Sequence, residues 1–151
     1  MRLRWVRDQR GSQIVEFALI APILISLVLM VPILGMAVRA WVVTEGAARE
    51  GARVLGVTGD ASAACDRAFQ EVTVFGQLPA TSGGKTLFSR QDISLNLSTG
   101  EVVVFYRQPT VLPALGQLLN GNRLSDYFEV VGRARFRLER APRGAGGVQR
   151  C

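Results

Sequence analysis

Between Arg10 and Arg39 the sequence carries a single charge, Glu16, at the edge of an apolar run that opens at Phe17. A carboxylate entering hydrocarbon is costly, so Glu16 either stays among lipid headgroups or has a partner. Gly11 lies five residues earlier, behind a basic peptide, and a glycine there presents an unhindered, flexible backbone to a peptidase. Hydrolysis of the Gly11–Ser12 bond would create a new amine at Ser12. That amine could pair with the Glu16 carboxylate of a neighbouring packed helix, because opposite charges near a low-dielectric phase attract strongly. The chemistry open to these residues is proteolytic maturation followed by setting the register of one subunit on another.

The remaining functional groups argue against catalysis. The chain has no histidine, and its only cysteines are Cys65 and Cys151, which removes the usual zinc sites and the Ser-His and Cys-His arrangements. A hydrolase would have to be built from Asp60, Asp66, Asp92, Asp126 and Glu129. These carboxylates are scattered over turns and helix starts, where capping or solvation accounts for them. The stretch SGGKT, Ser82 to Thr86, lacks the first glycine of a phosphate loop. No enzyme activity, cofactor, metal or small-molecule substrate is expected. Cys65 and Cys151 can pair in an oxidising compartment, but Cys151 sits on a glycine-rich tail, so a disulfide and a free tail thiol both stay open.

An anchor positions the N-terminal groups. Phe17 to Val38 is a run of 22 residues without a charge, and at 1.5 Å per residue such a helix spans about 33 Å, matching a bilayer's hydrocarbon core. Pro22 and Pro32 interrupt the donor series inside it, which membrane helices tolerate. Arg2, Arg4, Arg7 and Arg10, against Asp8 alone, precede the run and hold the N-terminus in the cytoplasm by the positive-inside rule. The expected localisation is the cytoplasmic (inner) membrane, crossed once, with the C-terminal domain on the far side. The formal charge of +6 therefore says little about partners. Arg133, Arg135 and Arg137 alternate along a strand pattern and read as its solvent face, so no nucleic-acid partner is expected.

Beyond Val38 the helix is expected to continue to about Leu55, with Trp41 at the membrane–water boundary. Ala40, Thr44, Ala48 and Ala52 recur every fourth residue and form a small-residue packing face, turned either to the chain's own domain or to another helix. Gly56 and Gly59 should end this helix, and Asp60 should cap a second, amphipathic one that buries Cys65. Residues 75–90 read as a loop. Alternation at Ile93, Leu95 and Leu97 and again at Val102, Val104 and Tyr106, about a Thr99-Gly100 turn, predicts a hairpin. A short helix is expected over 114–119, a turn over 120–122 and a third strand from about Phe128 to Leu138. The fold class is α+β: a long N-terminal transmembrane helix, a second helix and an antiparallel sheet of about three strands. The boundaries are a leader at 1–11, a transmembrane helix at 12–38, an exported domain at 39–140 and a flexible tail at 141–151.

The order of Gly11, Ser12, Glu16, Phe17 and Pro22 in RGSQIVEFALIAPIL, followed by AAREGARVLG at 47–56, resembles the TadE/TadF pseudopilins of the tight-adherence (Flp) branch of type IV pilus systems. The resemblance implies a pilin-like layout and cleavage between Gly11 and Ser12 by a prepilin peptidase. It also implies assembly through Glu16, Phe17 and Pro22, and partnership with other pilins or pseudopilins, an inner-membrane platform protein and its ATPase, with incorporation into a pilus. Ordinary type IV pilins and type II secretion pseudopilins usually start their mature chain with phenylalanine, so Ser12 departs from them. The competing reading is an uncleaved single-pass protein whose exported domain binds an envelope component.

Overall fold

The computed structural model describes residues 9–109, 127–139, 141 and 147–151, with 9–12 as backbone alone. The chain forms two units, Met1–Met36 and Ala37–Cys151. Helix α1, Gln9–Thr58, supplies the first unit and opens the second. Among the described residues it is the one helix long and apolar enough to cross a membrane, with a mean hydropathy of 2.8 over its most apolar 18-residue window and none of that window buried. Pro22 and Pro32 both lie inside it. Each removes an N–H from the helical series, and Ser26 Oγ donates to the Pro22 carbonyl at 2.7 Å.

The Ala37–Cys151 unit is α+β. Gly59, at φ +68°, terminates α1 and donates its N–H to the Leu55 carbonyl, a left-handed stop that glycine takes without steric cost. Gly56 has a different role from the terminator expected of it: the helix runs through it to Thr58. Its missing side chain leaves room for the Phe136 ring, and its carbonyl accepts from Glu139 N–H at 3.0 Å. Asp60 caps α2, Ala61–Gln70, accepting from the Ser62 and Ala63 amides, and a π-helical turn, Glu71–Phe75, extends that helix.

The segment expected as a plain loop contains a two-residue hairpin, β1 (Thr81–Ser82) and β2 (Lys85–Thr86), turned by Gly83 and Gly84. The main hairpin joins β3, Ile93–Asn96, to β4, Glu101–Pro109, in the register Ile93↔Val104 and Leu95↔Val102. Asn96 organises its turn by accepting from Ser98 and Thr99 amides. Strand β5, Tyr127–Arg135, pairs with β4. Arg133, Arg135 and Arg137 are exposed while Val130 and Gly132 are buried, as the alternation requires.

Among the described residues the sheet has four strands in the order β5-β4-β3-β6, one more than the sequence pattern indicated. The extra strand β6, Val148–Arg150, pairs with β3 inside the stretch expected to be a flexible tail. Its glycine- and arginine-rich composition argued for disorder, but main-chain bonds to the β3 edge, such as Cys151 N–H to the Ile93 carbonyl at 3.1 Å, do not register in composition. The expected helix at 114–119, the turn at 120–122, Asp126 and residues 142–146 of the tail lie outside the described residues.

One face of the sheet carries the core. Ile93, Leu95, Leu97, Val102, Val104 and Tyr106 are buried there together with Ala64, Ala68 and Val72, and with Ala40, Ala47, Ala48, Ala52 and Leu55 of α1. Phe88 stacks on Phe69 with ring centroids 5.5 Å apart and meets Tyr106 at 6.2 Å. Tyr106 donates its hydroxyl to the Pro79 carbonyl at 3.2 Å, so the buried phenol is satisfied. Burial pushes its pKa above the ordinary tyrosine value, and the Arg39 charge nearby opposes the shift.

Candidate functional site

The groups singled out for maturation and assembly all lie on α1. The Gly11–Ser12 peptide lies in the first turn of α1 that the structure describes. Glycine weakens that turn by about 1 kcal/mol relative to alanine. Glu16 and Phe17 are exposed one turn later, as are Ile14 and Val15 beside them, and Pro22 is exposed in the following turns. Large apolar side chains continue in the same state to Val38. Water gives such a surface no stabilisation, whereas a bilayer or other apolar helices would.

The small-residue face is placed differently. Ala40, Thr44 and Ala48 are fully buried and Ala52 nearly so, all within the core of the Ala37–Cys151 unit. This face turns inward, onto the chain's own domain. The buried Thr44 hydroxyl donates back to the Ala40 and Trp41 carbonyls at 2.9 and 3.0 Å, which removes the cost of burying it. Opposite it, strand β5 approaches so closely that a Cβ at Gly132 would run into the Thr44 carbonyl, and the Arg133 N–H donates to the Glu45 carboxylate at 3.2 Å. Gly51 is similarly closed in by Ala68, Ala64 and Val102. Gly132 and Gly51 were not singled out from the sequence. The only trace of them there is that each interrupts a pattern otherwise suited to a larger side chain.

Cys65 and Cys151 are joined by a disulfide with their Cα atoms 5.9 Å apart, across 86 positions of sequence. It ties β6 to α2 and closes a loop that the unfolded chain could otherwise explore, worth about 4–5 kcal/mol in the loop-entropy account.

Three of the carboxylates considered for catalysis are engaged structurally. Asp60 caps α2, Asp66 meets Arg90 at 2.7 Å, and Asp92 binds Arg107 at 2.8 Å while accepting from the Ser89 amide. Among the described residues no three His, Cys, Asp or Glu side chains gather as a metal site. An open depression of about 300 Å³ on the outer sheet face has Asp92, Arg107, Glu129 and Arg150 on its walls, charges of both signs with no common ligand.

Compared with known protein families, residues 11–53 match the model of TadE-like proteins. The TadE-like stretch begins at Gly11, runs through Glu16, Phe17 and Pro22, and takes in Ala40, Thr44, Ala48 and Ala52. No curated protein and no solved structure matches the chain. The match covers the membrane-helix candidate and the helix half that the α+β unit packs against, and stops before α2.

Proposed function

We propose that this protein is a minor pseudopilin, an assembly component of a tight-adherence pilus system. A prepilin peptidase cuts between Gly11 and Ser12, the α1 segment from Ser12 onward enters or primes a filament at the membrane, and the α+β domain faces outward. The observation that supports this most is the TadE-like match, which starts at Gly11 and contains the isolated Glu16. The role is structural: Glu16 sets register against the new Ser12 amine of a neighbouring subunit, and Phe17 and Pro22 shape the contact. The partners are the peptidase, other pilins or pseudopilins, the inner-membrane platform protein and its ATPase. The orientation follows from the four arginines ahead of the apolar run. The disulfide agrees with it, since such bonds persist in oxidising compartments.

N-terminal sequencing and intact mass of the protein from its native membrane test the first step. A chain beginning at Ser12 is the expected result; one beginning at Met1 leaves a signal-anchored binding domain instead. For the second step, Glu16→Ala is expected to abolish filament assembly while leaving protein level and cleavage intact. Unchanged assembly would remove Glu16 from the mechanism.

A further inference from the structure

The Ala37–Cys151 unit exposes large apolar side chains mainly at one end. Trp41 is 56% exposed, Val42 58%, Val74 62% and Phe75 60%. Two contacts hold the last two level with the first two. Arg39 donates to the Gly76 carbonyl at 3.1 Å, and Gly76 lies so close to the Val43 side chain that it has no room for a Cβ. The π-helical turn carrying Val74 and Phe75 is therefore pinned beside residues 39–43 of α1. Strand β5 reaches the same level. Phe136 lies against Gly56 and Gly132 against Thr44, so going back toward the strand's start moves toward Arg39. Val130 pairs with Tyr106, which feels the Arg39 charge, and Phe128, 39% exposed, follows two residues further on the same face.

We propose that this end of the domain, formed by Trp41, Val42, Val74, Phe75 and Phe128, rests in the headgroup layer of a phospholipid bilayer. The inference builds on the membrane-anchor reading of residues 17–38. Arg39 is the first charge after the uncharged run, so it marks where hydrocarbon ends. Residues 39–43 rise about 6 Å along the helix, and the headgroup layer on one side of a bilayer is about 5–8 Å deep. Anything fixed level with these residues is inside that layer. Aromatic side chains favour it. The Arg67 guanidinium, paired with Glu71 at 3.2 Å, lies 4.9 Å over the Phe75 ring and steadies it in place. The anchor thus does more than tether the domain: the bilayer surface becomes a second support that fixes the domain's tilt.

The test uses the full chain in phosphatidylcholine–phosphatidylglycerol vesicles containing lipids brominated near the glycerol end of the acyl chain. The chain has two tryptophans, Trp5 and Trp41, so Trp5→Phe with Trp41→Phe gives a silent background. Phe75→Trp in that background should shift its emission to the blue and lose about half its intensity to the brominated lipid, as an interfacial aromatic would. Val148→Trp, on β6 by the far end of the hairpin, should lose none. Val74→Trp serves as a second reporter if Phe75→Trp disturbs its turn. Reporters at 74 and 75 that bromine does not reach overturn the proposal, whether iodide quenches them from water or a protein partner shields them. The Trp5→Phe chain separates the two readings. If Trp41 is quenched while positions 74 and 75 are silent, only this inference fails; if Trp41 is silent too, the anchor reading fails with it.

Discussion

Helix α1 contains two apolar surfaces with opposite fates. From Ile14 to Val38 its side chains are large and exposed, Ile23 at 67%, whereas from Ala40 to Leu55 one face is small and fully buried, Ala48 at 0%. The larger hydrophobes are the ones left uncovered. Burial in this chain follows the available partner and not the hydropathy of the residue. Small side chains let a sheet and a second helix approach within backbone contact, as at Gly132 and Gly51, while the large ones suit fluid lipid, which fits around any shape. The first half of the helix is built for an apolar solvent and the second for a fixed protein surface.

The comparison breaks first where the folded unit is tied together. Cys65→Ser with Cys151→Ser should lower the stability of the Ala37–Cys151 unit by about 2–5 kcal/mol. Denaturant unfolding of the detergent-solubilised chain measures this, and an unchanged midpoint would show that β6 holds without its staple. Ala48→Leu should cost about 1–3 kcal/mol by overpacking, whereas Ile23→Ala, the opposite change on the exposed half, should leave the unit's midpoint within about 0.5 kcal/mol. Equal effects at the two sites would remove the distinction between the halves. The smallest effect is with pH. Because burial raises the folded-state pKa of Tyr106 above the ordinary tyrosine value of 10.0, its contribution is complete below that value and declines as pH rises through the higher folded one. Alkaline unfolding of Tyr106→Phe should lack this component.

Much of this was legible in the sequence because it is periodic or local. The uncharged run, the every-fourth-residue face, the Asp60 cap and the Ile93–Tyr106 alternation are patterns over neighbouring positions, and the structure places each of them in the element its period indicates. The misses are long-range. Strand β6 depends on an edge offered by β3 some fifty residues earlier, and its own three residues carry no signal. Gly56 looked like a helix terminator because glycine usually is one, and only the Phe136 ring against it shows otherwise. The small-residue face was visible as a packing surface, but nothing along the chain said whether its partner was internal. That answer sits in Gly132, on a strand 80 to 90 residues away. The residues proposed for processing and assembly, Gly11 to Pro22, stand out along the chain because they lie in one short stretch and need no tertiary fold to be adjacent.

The hydrogen bond from Arg133 N–H to Glu45 bears on solubility. Among the described residues β5 ends the sheet, and an open strand edge invites another chain to add to it, the usual route to aggregation. Here a helix-borne carboxylate takes one of the donors that an incoming strand would need, and charged side chains at 133 and 135 flank it. The contact leaves this edge of the sheet with one fewer free donor for an added strand.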